Sequence, residues 1–154
     1  MLKVVFLDFD GVLNNAEFRN SDSDYYNNFI DESRMPLLKQ IIQKTGAVIV
    51  LTTTWRTRWD PNDPSLLEDT QKINNIFAKY DLEIYSKTDV FNENRNYEIS
   101  LWLCKNDVKN YVILDDVDFH WSDENRRHFV KTDDANHGLD EHTATLAIEI
   151  LNKQ

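Results

Sequence analysis

A chain of 154 residues with 17 Lys and Arg against 27 Asp and Glu carries a formal charge of −10, which argues against a surface built as a whole to attract nucleic acid or anionic lipid. At 41% hydrophobic and 12% aromatic residues it has the material for a buried core, and 3 Gly and 3 Pro exclude collagen-like or low-complexity character. The lone Cys104 excludes an internal disulfide and a Cys-only zinc site, and no apolar run suffices for a membrane span, so a single cytoplasmic domain over residues 1–154 is expected.

Val4–Leu7 is an apolar run ending in acids and reads as a buried strand. Asp22–Asn28, with Ser, Asp, Asn and Tyr, reads as a loop, either a flap over a site or a solvated connection. Ser33 is placed to cap a helix that carries Leu37, Leu38, Ile41 and Ile42 and stops at Gly46. Ala47–Leu51 is too short and too β-branched for a helix and makes a second strand. Ser65 and Glu68 have capping-box spacing ahead of Ile73, Ile76, Phe77 and Tyr80, one helical face. Leu82–Tyr85 is a weaker third strand, and Ile99, Trp102 and Leu103 mark another helix. Tyr111–Leu114 is a fourth strand, again ending in acids; His128–Thr132 is a short fifth; Ala144, Ala147, Ile148 and Leu151 give a closing helix.

Strands apolar throughout and separated by amphipathic helices imply a parallel sheet covered on both faces, a doubly wound, Rossmann-like α/β fold with right-handed crossovers. Ligands of such sheets sit at the carboxyl ends of the strands, where strand order reverses. The residues there are unusually polar. Asp8-Phe9-Asp10-Gly11-Val12-Leu13-Asn14 follows strand one, Thr52-Thr53-Thr54-Trp55-Arg56 follows strand two, and Asp115-Asp116 follows strand four. Each group alone reads as turn or helix-cap residues. Together, with strands one and four adjacent, they crowd four carboxylates at one edge, which is costly unless a cation lies between them. A hard divalent ion with oxygen ligands fits, and Mg²⁺ is the natural choice. Threonine hydroxyls, backbone N–H groups and an arginine beside it make a site for phosphoryl transfer.

Other readings of these residues are weaker. Asp116–His120 lacks the glycine that an EF-hand needs, since Trp121 stands there. His120, His128, His137 and His142 show no paired zinc spacing and read as surface or structural residues. Cys104 reads as a small core residue on its helix. Trp55 and Trp102 read as core; Trp59 and Trp121 fall in polar loops, where packing is the simpler reading and stacking on a base or sugar the sharper one. A receiver-type signalling domain would place its threonine after strand four and a phospho-accepting Asp after strand three, and that order is not the one here.

Asp8-Phe9-Asp10-Gly11-Val12-Leu13 resembles the first motif of the haloacid dehalogenase-like (HAD) phosphatase superfamily; Val48 to Thr52 resembles its second and Leu114-Asp115-Asp116 its fourth. Arg95 stands where the third motif's Lys or Arg is expected, before the helix leading to strand four. Thr53-Thr54-Trp55-Arg56, the Arg95 segment, Phe129-Val130-Lys131-Thr132-Asp133 and Gly138-Leu139 are similar to a narrower branch, the small cap-less HAD domains related to those of multidomain RNA-repair proteins. The resemblance implies a HAD-like sheet of order 3-2-1-4-5 with no separate cap domain, the gaps from Asp10 to Thr52 and from Thr52 to Arg95 being too short to hold one.

By that resemblance Asp8 is the nucleophile that forms an aspartyl-phosphate, and Asp10 is the general acid and then the base. The presence of Asp10 favours a phosphate ester over a haloacid. Asp8, the backbone carbonyl of Asp10, Asp115 and Asp116 are implied as the Mg²⁺ set. Thr52 is implied to bond the phosphoryl oxygens, with Thr53 and Arg56 as further substrate contacts and Thr52–Thr54 open by one position. Arg95 is implied as the motif-three cation, with Lys87 or Arg56 as substitutes, and Gly11 lets the chain turn without a side chain over the site. An uncapped site implies a bulky phosphorylated substrate, a nucleotide or nucleic-acid end, whereas the charge of −10 and the absence of a Lys/Arg stripe beyond Arg56, Arg58, Arg126 and Arg127 point to a small phosphomonoester. An inactive HAD-like Mg²⁺-binding module is the non-enzymatic alternative.

Overall fold

Val4 to Leu7 are wholly buried, so the strand that holds them, β1 (Leu2–Leu7), must be covered on both faces and flanked on both edges. In the computed structural model, which describes residues 1–154, β1 lies between β2 (Val48–Leu51) and β4 (Val108–Asp115), with β3 (Ile84–Lys87) and β5 (Phe129–Lys131) outermost. Every pairing is parallel and the order is β3-β2-β1-β4-β5, the doubly wound α/β sheet expected, with no inserted cap domain. Leu7 is in register with Leu51 on one side and Leu114 on the other. Asp8, Thr52 and Asp115 therefore leave the sheet at one level.

Side chains alternate across β1. Val5 and Leu7 face the larger core, with Leu38 and Ile41 of α2 (Met35–Thr45), Ile73 and Phe77 of α3 (Leu67–Ala78), and Ala144, Ala147 and Leu151 of α6 (Glu141–Asn152). Val4 and Phe6 face the smaller core, with Ile99 and Trp102 of α4 (Arg95–Lys105) and with Trp121. Phe6 meets Trp102 and Tyr111 edge-on, at 5.5 and 5.8 Å between ring centres. Trp59 and Trp121 are also buried, so both loop tryptophans pack. Cys104 is exposed on the outer side of α4 rather than in the core. No helix is long and apolar enough to cross a membrane.

Several local details differ from the sequence reading. Ser33 does not cap α2: Asp31 caps a 3₁₀ turn, Glu32–Arg34, that runs into the helix, and its carboxylate takes both the N–H and the hydroxyl of Ser33. Ser65 repeats the pattern, bonding Asp63, which caps the 3₁₀ turn Pro64–Leu66 ahead of α3. In each case a carboxylate two residues earlier is the stronger acceptor. Gly46 ends α2 in a left-handed conformation, as expected. β3 starts at Ile84, two residues late, and β4 reaches back to Val108. A helix absent from the sequence reading, α1 (Ala16–Ser21), precedes the 22–28 loop; a short α5 (Asp123–Arg126) precedes β5.

The turn after β2, Thr54–Arg58, is tied to α4 by a buried ion pair. Arg56 Nη2 donates to Glu98 Oε2 at 2.7 Å, and both side chains are below 5% exposure. The rest of the guanidinium is spent on backbone: Nη1 on the carbonyls of Thr52 and Thr53, Nε on that of Thr88 at 3.2 Å. Glu98→Gln would strand a buried positive charge, and we expect it to lower unfolding stability by about 3 kcal/mol. Urea unfolding checks this; a loss below about 1 kcal/mol would mean the pair does not hold the turn.

Candidate active site

The strand tips are laced together before any side chain is considered. Asp8 N–H donates to the Leu114 carbonyl at 3.1 Å, and Thr52 N–H to the Leu7 carbonyl at 2.9 Å. On this frame, oxygens of Asp8, Asp115 and Asp116 all lie within 4.8 Å of one another. Asp8 and Asp115 are buried and Asp116 is half-buried. Three of the four expected carboxylates thus converge. The fourth, Asp10, is not in that group, and its side chain is bonded to Asn14 and Tyr25.

One cation answers two of the three acids. Arg95, the first residue of α4 rather than a residue ahead of it, sends Nη1 to Asp115 Oδ2 at 2.6 Å and to Asp8 Oδ2 at 3.3 Å. Its guanidinium carbon lies 4.7 Å from the centre of the Phe119 ring. The substitutes considered for this role are occupied. Lys87 Nζ donates to the carbonyls of Trp59 and Arg56 at 2.7 and 3.2 Å. Arg56 is bound to Glu98 and to backbone, so it braces the turn and makes no ion pair with the acids.

The arrangement is electrostatically uneven. Burial first, and then the neighbouring charge of Asp115, push the Asp8 carboxyl up to about 7 despite the opposing pull of Arg95. Burial, followed by Asp115, pushes Asp116 up to about 6. A single guanidinium among three carboxylates leaves an excess of negative charge on hard oxygen donors, the donor set a Mg²⁺ ion takes. Gly11 makes the set possible. At φ +78° it adopts a left-handed conformation, and a Cβ there would stand 2.3 Å from Asp116 Cγ, so any side chain would push Asp116 out of the cluster.

Among the three threonines, the structure separates their roles. Thr52 Oγ1 is buried and has no hydrogen-bond partner. Thr53 Oγ1 accepts the Trp55 N–H at 3.3 Å and so caps the turn, with its own O–H still able to donate. Thr54 starts that turn. A buried orphan hydroxyl thus stands one residue past β2, level with Asp8.

Asp10 is held by residues that no motif reading singled out. Its Oδ1 accepts from Asn14 Nδ2 at 2.9 Å and from the Tyr25 hydroxyl. Asn14, wholly buried, also donates to the Phe29 carbonyl at 2.7 Å and accepts from Gly11 N–H and Arg19. Arg19, on α1, is in turn fixed by a two-pronged pair with Asp134 at 2.6 and 2.9 Å. From β5's end, Thr132 Oγ1 donates to the Gly11 carbonyl at 2.6 Å. Asn14 lies within the first-motif stretch and could be suspected there. Tyr25 carried no signal beyond an aromatic in a polar loop. Burial and then the bond to Asp10 push its hydroxyl well above the usual phenol range, so it stays a donor.

A family model for the HAD domain in Swiss Army Knife RNA repair proteins matches residues 4–144. Comparison with curated proteins and with solved structures finds no match.

The raised carboxyls set a pH dependence. Asp8 and Asp116 hold protons more tightly folded than unfolded, so their contribution is complete below 3.8 and is lost as pH rises through about 6 and about 7. With chelator present, the melting temperature should therefore fall between roughly pH 5 and pH 8. Mg²⁺ competes with those protons, so the increase it produces should be larger at the higher pH. Thermal unfolding with and without the ion checks this, and an equal shift at both pH values would contradict it.

Proposed function

This chain belongs to the family of HAD domains found in Swiss Army Knife RNA repair proteins, and from that membership we propose that it is a Mg²⁺-dependent phosphomonoester hydrolase working through an aspartyl-phosphate on Asp8. Membership by itself supports a phosphatase-type function. The observation that carries the finer reading is the convergence of Asp8, Asp115 and Asp116, with a single buried arginine against the first two and an unpartnered threonine hydroxyl at the end of the neighbouring strand.

Each part has a physical task. Phe9 N–H donates to Asp8 Oδ1 at 2.9 Å while Arg95 faces Oδ2, so the nucleophile is held in one orientation before substrate arrives. Asp8 attacks phosphorus as the ester P–O bond breaks, and Asp10 hands a proton to the departing oxygen. In the second half Asp10, now a carboxylate, takes a proton from the water that attacks phosphorus, releasing Asp8 and inorganic phosphate. The Thr52 hydroxyl donates to a phosphoryl oxygen, and Arg95 offsets negative charge on the transferred group. Asp8, Asp115, Asp116 and the Asp10 carbonyl would hold Mg²⁺, which when bound offsets the repulsion between an anionic nucleophile and an anionic phosphoryl group.

For the substrate we infer a terminal phosphate of a nucleotide or nucleic acid. The family's description as a domain of RNA repair proteins supports this, as does an edge with no domain folded over it. Contact is confined to the end of such a substrate, because the surface arginines are already paired: Arg58 with Asp69, Arg126 with Asp118, Arg127 with Glu124.

Phosphate release is the test. With Mg²⁺ the wild type should hydrolyse an aryl phosphomonoester, a nucleoside monophosphate and an end-phosphorylated oligonucleotide, and chelator or Asp8→Asn should abolish release from all three. Preserved turnover in Asp8→Asn would overturn the mechanism; preference for a small ester would reassign the substrate; Mg²⁺ binding with no release would leave a binding module. Thr52→Val should separate stability from function. Removing an unpartnered buried hydroxyl should raise unfolding stability by about 1 kcal/mol while weakening turnover. A variant less stable than wild type would mean that the hydroxyl has a partner in the resting protein.

A further inference from the structure

A general acid with two equivalent oxygens can hold its proton on the wrong one. In Asp10 they are not equivalent. Both donors that reach this carboxyl, Asn14 Nδ2 and the Tyr25 hydroxyl, bond Oδ1. Two donors on one oxygen disfavour a proton there, because an O–H would face two N–H or O–H groups already pointing at it. The proton is thereby confined to Oδ2.

The two donors differ in how they are held. Asn14 is wholly buried and fixed by Gly11, Phe29 and Arg19. Tyr25 comes from the loop after α1 and is only half-buried. Its ring packs edge-on against Trp55 at 5.7 Å between centres, and Trp55 stacks on Phe29 at 4.3 Å. Trp55 belongs to the turn that follows Thr52, so Tyr25 links the acid after β1 to the segment that carries the phosphoryl-binding hydroxyl. Asp10, Tyr25, Tyr26, Thr54, Trp55 and Arg58 line one open recess of about 250 Å³. Asp10 forms one wall of it, opposite residues of the turn that follows Thr52.

We propose that Tyr25 is a positioning residue for the proton transfer at Asp10, that its hydroxyl on Oδ1 makes Oδ2 the atom that delivers the proton, and that the recess it lines receives an alcohol leaving group. The proposal rests on the hydrolase reading above and narrows its substrate class to alkyl phosphomonoesters, the sugar-hydroxyl esters of nucleotides among them. As the Asp8–phosphorus bond forms, the P–O bond breaks and its electron pair stays on the departing oxygen. That oxygen takes the proton from Asp10 Oδ2, and the resulting carboxylate charge is stabilised by the two bonds to Oδ1. The same Oδ2 then takes the proton of the attacking water. An alkoxide is too poor a leaving group to depart unprotonated, whereas a nitrophenolate departs readily without help. Bracing of the acid therefore matters for the first and hardly for the second.

Tyr25→Phe keeps the ring against Trp55 and removes only the hydroxyl. We would measure kcat and KM with Mg²⁺ on p-nitrophenyl phosphate and on a nucleoside monophosphate, with Asp10→Asn as the reference for complete loss of the acid. The expected result is a kcat/KM, which reports only the steps up to the aspartyl-phosphate, about tenfold lower on the nucleotide, the scale of one charge-assisted hydrogen bond, and lower by less than about twofold on the nitrophenyl ester. Asp10→Asn should show the same split in kcat/KM, larger. An equal loss of kcat/KM on the two substrates would make Tyr25 a packing residue and overturn the proposal, as would an unchanged kcat/KM on the nucleotide. A wild type that hydrolyses neither substrate would remove the hydrolase reading itself, a result distinct from either. The melting temperature of Tyr25→Phe, expected to match wild type, separates loss of the hydroxyl from loss of the fold.

Discussion

Repulsion among like charges at the carboxyl edge of the sheet governs the rest of this molecule. β1 must sit beside β4 for the core to close, since Val4–Leu7 and Tyr111–Leu114 are apolar and buried on both faces. That adjacency forces Asp8 against Asp115 and Asp116, an arrangement a folded protein avoids unless something offsets it. Arg95 offsets part of it, and the acid-rich remainder is the feature on which the proposed cation and phosphoryl chemistry rests. Stability and chemistry are therefore opposed at the same atoms, as expected where function requires a site that is strained without its ligand.

The surrounding structure holds this opposition in place. Gly11 gives up a side chain so that Asp116 can approach. Arg56 and Glu98 form a buried pair that ties the turn after β2 to α4, with Arg56 also bonding the Thr52 and Thr53 carbonyls. Asn14 joins four groups in one node, connecting α1, the loop after β1 and the stretch before α2. In the ordinary logic of a supported site, the residues that act are few and those that orient them are many.

The chain places its caps and its supports with short polar residues whose local competition is hard to read. Ser33 and Ser65 each have the spacing of a helix cap, yet each lies inside a 3₁₀ turn capped by Asp31 or Asp63, and its own N–H and hydroxyl donate to that carboxylate. Arg56, Lys87 and Arg95 are equally cationic in sequence. Only their distances to Asp8 and Asp115 distinguish them, and those distances follow from where α4 starts and where the β2 turn folds back.

What the sequence by itself determined was the sheet and the position of its reactive edge. Uninterrupted apolar runs alternating with amphipathic segments have one economical packing, and acids placed directly after such runs have one place to go. Asp8, Asp115, Gly11 and the Thr52 segment were legible for that reason. What only the tertiary structure decided was the pairing of groups distant along the chain: Tyr25 with Asp10 across a loop, Glu98 with Arg56 across two elements, Arg19 with Asp134 across most of the chain. Hydrogen bonds and ion pairs act over about 3 Å and leave no periodic trace in sequence, whereas burial is repeated along every strand and helix and therefore does.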